Sequence, residues 1–457
     1  MSRIIPVFLF FIIWMSCDTL EDTVSFDPGL EIQFSNDTVS FDTLLSATRS
    51  TTQRLTVYNR NESSIQISEI LLGKRESSDY AVIVNGKAGT SLFNETIRGG
   101  DSLLVLVEVN INPQNQNLPY LVKDSIIFNW NGNTEHVKLV SWGQDGNRVQ
   151  NQTLCDVVWT NSRPYIISDT VLIAPNCQLT IERGTRIFFE NDAVMFVQGT
   201  LNAVGDSANH IVFRNARFDG IYNDVPGQWN GIYFLEGSSG NEVAYADIFN
   251  GQVGLRLGAP DDDDIPDLVV SHTTIYNMSL AGILAFTSDL SATNCLIYNC
   301  GSWLVGNFAG GNYQYQHCTF SNEPGIFVNN EPAVQFSDNI VISEDELLTD
   351  DLTIELTNCI IWGSGEEELL INNGGGANLS AVLTTNIIRS GEEISGNFTS
   401  QQFDFPGFNN AFSFDYSLDT LAFAKDKGTV IGVTKDITGA DRDAKPDIGA
   451  FERIEKE

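Results

Sequence analysis

Lysine is missing from the middle of this chain: none occurs between Lys138 and Lys425. Histidine is nearly absent too, with four in all, at His136, His210, His272 and His317. The 25 basic residues face 59 acidic ones, a net charge of -34. Such a surface repels phosphate backbones and anionic head groups, so no nucleic-acid partner is expected. Charged residues make up only 18% against 42% hydrophobic, which excludes a disordered acidic tail. Helix-favouring stretches are sparse. Gly, Asn, Ser, Thr, Val, Ile and Phe dominate instead, the composition of strands and tight turns. After residue 15 no run is long and apolar enough for a membrane-spanning helix.

The one long apolar run is Ile4 to Met15, behind a basic start at Ser2-Arg3. Twelve residues fall short of the roughly 20 that span a hydrocarbon core, and suit a signal-peptide h-region. The run ends at Trp14-Met15-Ser16-Cys17. A small residue followed by Cys resembles a bacterial lipobox, with Trp14 and Met15 standing where smaller aliphatic residues are usual. Residues 1–16 are therefore read as a lipoprotein signal peptide and Cys17 as the lipidated mature terminus. An ordinary signal peptide with an incidental Cys is the alternative. The polar, acidic residues 17–27 read as a tether between membrane and fold. These readings place the protein at the outer membrane or cell surface, held by its lipid.

Residues 28–143 alternate in short runs between turn clusters: Leu30 to Phe34, Gln53 to Tyr58, Ser64 to Leu72, Tyr80 to Val84, Ser102 to Asn110, Asp124 to Trp130 and His136 to Trp142. Asn85-Gly86, Gly99-Gly100 and Asn131-Gly132 separate them. Strands of this length and spacing predict an antiparallel β-sandwich of immunoglobulin type.

Further on the chain repeats itself. Ala246-Asp247-Ile248-Phe249-Asn250 aligns with Thr273-Thr274-Ile275-Tyr276-Asn277, Cys295-Leu296-Ile297-Tyr298-Asn299, Cys318-Thr319-Phe320-Ser321-Asn322 and Cys359-Ile360-Ile361-Trp362-Gly363. Alternate residues of a strand share a face, so the small first column and the large apolar third column point to one interior. The fifth column is Asn in four copies, at the corner where each strand turns. The offsets are 27, 22, 23 and 41 residues, the last near two coils. One strand and one Asn turn per 22 to 27 residues is what a parallel β-helix requires. The Leu-x-x-Leu-x-Leu pattern of leucine-rich repeats, which share the period, is missing. Residues 150–403 are expected to form about ten coils. Cys155 and Cys177 lie 22 residues apart, about one coil. On neighbouring coils they are close enough to bridge, or stack as two free thiols. The fold class is thus all-β: an antiparallel sandwich followed by a right-handed single-stranded parallel β-helix.

Leu179-Thr180-Ile181-Glu182-Arg183-Gly184-Thr185, Gly199-Thr200-Leu201-Asn202-Ala203-Val204-Gly205 and Trp229-Asn230-Gly231-Ile232 resemble the first coils of right-handed parallel β-helix lipoproteins of Bacteroidota. Asp436 to Arg442 and Asp447 to Glu452 resemble the closing motif of their pectin-lyase-like domains of choice-of-anchor type. The resemblance implies that residues 404–457 close the helix. It specifies architecture and leaves chemistry open, since the fold also hosts pectate lyases, polygalacturonases and pectin esterases.

The candidate chemistry is thin. A lyase needs a tuned base, often Lys or Arg, and the β-helix offers only scattered arginines. The Asn-Thr-Asp, Gly-His-Gly and Arg-x-Lys pieces of polygalacturonases are absent. Asp441, Arg442 and Asp447 read as charged hydrogen-bonding groups that cap the last coil. Asp261, Asp262, Asp263 and Asp264 form a loop insertion. It is a solvated acidic loop or a calcium site, with no Asp-x-Asp-x-Asp-Gly spacing; no cofactor is required. Glu366-Glu367-Glu368 reads as a second solvated acidic group. Phe249, Tyr276, Tyr298 and Trp362 share the outward column, with Trp303, Tyr313 and Tyr315 nearby; such rings stack on sugars or pack beneath loops. The leading expectation is a non-catalytic surface protein binding glycan or a surface protein along the helix. The alternative is a polysaccharide-degrading hydrolase or lyase.

Overall fold

The computed structural model describes residues 23–217, 220–258, 265–324, 327, 331–343, 346–403 and 405–453. Cys17 and Asp261 to Asp264 lie outside them. Among the described residues no helix is long and apolar enough to cross a membrane.

The chain forms two compact units. The first holds residues up to 41, 47–112 and 121–142. Its strands lie in two antiparallel sheets, as a sandwich requires. In one, Gln53–Tyr58 pairs with Ser102–Val109, which pairs with Tyr80–Val84. In the other, Ser64–Leu72 lies between Ser91–Ile97 and Tyr120–Trp130. Leu55, Val57, Val82, Val105 and Val107 from one sheet, and Ile65, Ile67, Ile70 and Phe128 from the other, are wholly buried. Apart from a slip of phase between Ile67 and Ile70, where the pairing with Tyr120–Trp130 shifts register, they are alternate residues of their strands, which is why the period-2 pattern was readable. Strands Thr38–Leu45 and Ser91–Ile97 were not expected. In the first the alternation is lost after Asp42, where Leu44 and Leu45 are both buried; in the second, left-handed Asn94 and buried Glu95 break it.

The second unit is the stack of coils. Each coil contributes one strand to each of three parallel walls. The first wall runs from Val157–Trp159 to Leu379–Thr384 in nine strands. The second includes Ala246–Phe249, Thr274–Met278, Leu296–Cys300, Thr319–Ser321 and Ile360–Trp362. The third includes Val194–Val197, Gly231–Leu235, Val253–Gly258, Ala281–Phe286 and Trp303–Phe308. The repeat columns stack in register: Ile248, Ile275, Ile297, Phe320 and Ile361 are successive partners, all wholly buried. The small column, Ala246, Thr273, Cys295, Cys318 and Cys359, is buried beside them. Cys155 and Cys177 are joined by a disulfide.

The 41-residue offset is one coil and not two. Phe320 pairs directly with Ile361, and the surplus residues leave the stack in an excursion that includes the hairpin Asn339–Ser343/Glu346–Thr349. The count of nine first-wall strands, against about ten expected, follows from this insertion.

Two corners hold the coils. Between second and third walls, Asn250, Asn277 and Asn299 adopt left-handed φ of 65°, 56° and 52°, a region Asn tolerates better than most side chains. Their amides form a buried ladder. Asn250 donates to Asn215 at 2.7 Å, Asn277 to Asn250 at 2.5 Å and Asn299 to Asn277 at 2.9 Å. Asn322 continues it by accepting from the Cys300 amide at 3.1 Å. Asn277→Ala removes the middle of this ladder and puts Ala at positive φ. A loss of about 2–4 kcal/mol is expected, read as a lower midpoint in denaturant.

The other corner, between first and second walls, is a single left-handed residue per coil: Tyr245, His272, Asn294, His317, Asn358 and Thr385. The C-terminal segment binds here. Asn294 donates to the Lys435 carbonyl at 2.8 Å, and Asn358 both donates to the Thr429 carbonyl and accepts from its amide at 2.7 and 2.8 Å. Ala450 donates to Thr319 Oγ1 at 2.9 Å. The segment therefore does not cap the last coil; it runs back along the outside of the second wall. Phe408, Tyr416, Leu418, Ala424 and Ile448 pack there on Leu296, Ile360, Trp362 and Ile387 as a second hydrophobic core.

Candidate functional site

Of the expected aromatic residues, Phe249, Tyr276, Tyr298 and Trp303 are half-buried and Trp362, Tyr313 and Tyr315 are buried. Phe249, Tyr276 and Tyr298 do form a stack, with ring centroids 4.7 and 4.9 Å apart. Tyr298, however, lies under Phe414 and Tyr416 at 5.3 and 5.2 Å. Burial pushes the phenols of Tyr276 and Tyr298 well above the usual tyrosine range. Trp362 is wholly buried and stacks on Phe403 at 5.4 Å. Tyr313 and Tyr315 face the interior, where Tyr313 donates to the Gly310 carbonyl at 2.9 Å and Tyr315 accepts from Asn307 at 3.0 Å. The C-terminal segment covers Trp362 and Tyr298, since its apolar residues pack on that part of the second wall; Tyr313 and Tyr315 belong to the interior core.

Trp303 belongs to another outward face. It lies on the third wall, whose central outward column runs Phe196, Tyr233, Arg256, Leu284, Gly306 and Gln335 in register. Phe196, Tyr233, Arg256, Phe286 and Trp303 are half-buried, and Tyr233, Phe286 and Trp303 pack with Ile340 of the inserted hairpin on the buried Leu284 and Phe308. Phe196 meets Tyr233 at 5.7 Å, Phe286 meets Phe308 at 6.0 Å, and Trp303 meets Phe308 edge-on at 5.3 Å. Trp303 is oriented by its indole N–H, which donates to Gln335 Oε1 at 2.9 Å. Gly306 leaves room for the rings: a Cβ there would come within 2.9 Å of Phe308 and 3.3 Å of both Trp303 and Leu284. The Arg256 guanidinium lies 5.1 Å over the Tyr233 ring and 5.5 Å over Phe286. No carboxylate occurs in this column among its described residues. Sequence reading missed it because the wall shows no column of one residue type, unlike the Asn corner.

The acidic candidates resolve differently. Glu368 is buried, not solvated, and accepts from the Gly365 and Ala333 amides at 2.6 and 2.9 Å. Burial raises its carboxyl above the usual range. Both oxygens are occupied in pinning a loop. Glu366 and Glu367 are exposed. Among the described residues no group of three His, Cys, Asp or Glu is placed to hold a metal.

Arg442 and Glu452 form a buried ion pair at 3.1 Å, with side chains 2% and 3% exposed. Arg442 also donates to Asn294 Oδ1 and the Gly449 carbonyl, both at 2.9 Å. Asp447 accepts from the Asp426 and Arg453 amides at 2.7 Å each, and burial pushes its pKa up to about 6. Asp441 is exposed and pairs with Lys435 at 2.6 Å. His317 sits in the corner ladder, 2.9 Å from the Asn358 amide, and burial lowers its pKa to about 3. These groups fasten the C-terminal segment, and Asp441 and Glu452 also line a cavity with Lys425, Asp426, Asp443 and Arg453.

Residues 201–373 match the family model described as right handed beta helix region. The coil stack is a right-handed parallel β-helix. The search of curated proteins gave no match. Among solved structures, the catalytic unit of a thermostable α-1,3-glucanase from Streptomyces thermodiastaticus is 12% identical. It covers 82% of this chain and 84% of its own, with a TM-score of 0.27. A human ASH/PapD-like domain is 11% identical over 29% of this chain and 99% of its own, TM-score 0.19. A glycoside hydrolase from Clostridium perfringens is 7% identical over 29% and 31%, TM-score 0.19. At these TM-scores the likenesses carry no argument. The fold is shared with catalytic and non-catalytic proteins alike, so the β-helix itself decides nothing about activity.

Proposed function

We propose that this β-helix binds glycan along the third wall without cleaving it, as an exported protein anchored through a lipid on Cys17. The observation that carries the binding reading is the run of half-buried rings from Phe196 to Trp303, spread over successive coils. Neighbouring strands lie about 4.8 Å apart, so rings on neighbouring coils are spaced about as far as successive sugars in a chain. Sugar ring hydrogens meet π-faces, and the indole of Trp303 is already held in place by Gln335. A hydrolase would need two carboxylates flanking the bond, one of them tuned as an acid. The described outward column supplies rings, an arginine and an amide instead. The h-region followed by Ser16-Cys17 supports the anchor.

The test is retention of the full mature chain on insoluble and soluble polysaccharides. Trp303→Ala should weaken binding about tenfold, roughly 1.4 kcal/mol, and leave the melting temperature near that of the parent. Unchanged retention by Trp303→Ala and Tyr233→Ala together, or no retention of the parent on any glycan, refutes the proposal. Release of new reducing ends or unsaturated uronates would replace it with an enzyme. Palmitate labelling that survives Cys17→Ala would refute the anchor.

A further inference from the structure

We infer that two copies of this chain associate through the free edge of Leu379–Thr384, the last strand of the first wall, which pairs antiparallel with its own copy across a two-fold axis. The inference is independent of the glycan reading above.

That strand ends its sheet: Leu352–Thr357 pairs with one side of it, and no strand pairs with the other among the described residues. Its inward residues Leu379 and Ala381 stack on Leu352 and Ile354, which are wholly buried. Leu379, Ser380, Ala381 and Val382 are nevertheless all exposed, so both faces of the strand meet solvent. The third wall ends alike. Leu369 and Ile371 stack on the wholly buried Val334 and Phe336 and are themselves only half-buried. Ile394 packs against the interior at this end without closing it.

The backbone says which groups face the edge. The Leu352 and Asn358 amides donate to the Asn378 and Thr384 carbonyls at 2.8 and 3.1 Å, so the even-numbered residues bond back to the sheet. The residues between them turn N–H and C=O to the free edge. Of these, the Leu383 carbonyl accepts from Asn397 Nδ2 at 3.1 Å. The groups of Leu379 and Ala381 meet no partner among the described residues. Edge strands are commonly guarded by Lys, Pro or a bulge. This one has no charge, no proline and no shift of register in its pairing. The uncharged run extends from Leu369 to Ile388, so all 59 acidic and 25 basic residues lie outside it. The carboxylates of Asp351 and Glu355 stand one strand back, bound by Asn378 and Gln314. A second copy suits this edge because a two-fold axis normal to the first wall reverses the strand and keeps its inward face inward. Ser380 then opposes the partner's Ser380, and Leu379 exchanges both backbone hydrogen bonds with the partner's Ala381. The uncovered apolar residues of each copy cover those of the other. Copies with a net charge of -34 repel, and Glu392 and Glu393, exposed beside Ile394, add to this.

The test follows the full mature chain by sedimentation velocity over about a hundredfold range of concentration. It carries Cys17→Ala, which excludes a cross-link through that thiol. A reversible dimer is expected that closes at two copies. It should tighten as salt is raised, because salt screens the repulsion between acidic copies and spares apolar contacts and backbone bonds. Ser380→Lys sets two cations opposite each other and should raise the dissociation constant about tenfold. Ala381→Pro removes an N–H that the sheet does not use and should weaken the dimer as well. Both variants should melt with the parent at dilutions where all are monomeric. With oxidised glutathione, Ser380→Cys should cross-link two copies, and Val382→Cys should not, since Val382 faces the partner's Asn378. A parent that stays monomeric at every concentration overturns the inference. So does a dimer indifferent to both Ser380→Lys and Ala381→Pro, or growth past two copies into a head-to-tail stack.

Discussion

Arg442→Met is expected to cost the β-helix unit about 3–5 kcal/mol. The guanidinium is the fastener between the C-terminal segment and the coil corner. It reaches Asn294 on the coils, and Lys435, Gly449 and Glu452 within the segment. Removing it leaves the Glu452 carboxylate buried and facing no cation. That carboxylate still accepts from the Asp443 and Asp447 amides at 3.1 and 2.9 Å, which softens the loss without cancelling it. Freeing the segment would expose Leu296, Ile360, Trp362 and Ile387, so the variant should bind a hydrophobic dye as well as melt earlier. Glu452→Gln in the same background should recover part of the stability, since the uncompensated charge is then gone. A melting curve within a degree or two of the parent would show that the segment is held by its apolar face alone.

Acid should loosen the same fastening through His317. Its side chain is wholly buried and its folded pKa stands near 3, against 6.5 for the free side chain. Between these values the unfolded chain binds a proton that the folded chain refuses, so stability falls as pH drops. The full difference is on the order of 4–5 kcal/mol, complete by about pH 3. Asp447 works the other way. Its folded pKa is near 6 against 3.8, so the folded form binds the extra proton and its contribution declines as pH rises from about 4 to 6. The two oppose each other from pH 6 down to 4, and below that only the His317 loss continues to grow. The parent's steepest loss should therefore fall below about pH 4. His317→Asn places in the corner the residue already found at Asn294 and Asn358, and removes the titrating group. The difference in stability between parent and variant should shift in the variant's favour as pH is lowered through 6.5 to 3. If that difference is flat with pH, His317 does not titrate as described.

The legibility of this chain differs from wall to wall. The second wall could be read because one column is Asn and another is aliphatic, and both repeat at a coil's length. Its inward residues were assigned correctly from alternation alone, down to the wholly buried Ile248, Ile275, Ile297, Phe320 and Ile361. The same alternation placed Phe249, Tyr276, Tyr298 and Trp362 outward, which is where they point. It could not say that outward differs from exposed. The third wall was nearly invisible, because Phe196, Tyr233, Arg256, Leu284, Gly306 and Gln335 share no residue type and no fixed spacing in the chain. Only register brings them into line. Glu368 shows the same limit: a carboxylate among two exposed neighbours looks solvated until the Gly365 and Ala333 amides are found on it.

What the sequence determined alone was the coil: which residues face inward, where the chain turns, and that rung stacks on rung. Those are consequences of period-2 alternation and of the left-handed tolerance of Asn, both local in the chain. The tertiary structure decided which outward residues are covered, and by what. That choice depends on where residues 405–453 come to rest, and their apolar partners lie far away in the chain, from Leu296 to Ile387. Burial of apolar area has no direction along the chain, so no local pattern announces which wall will be covered.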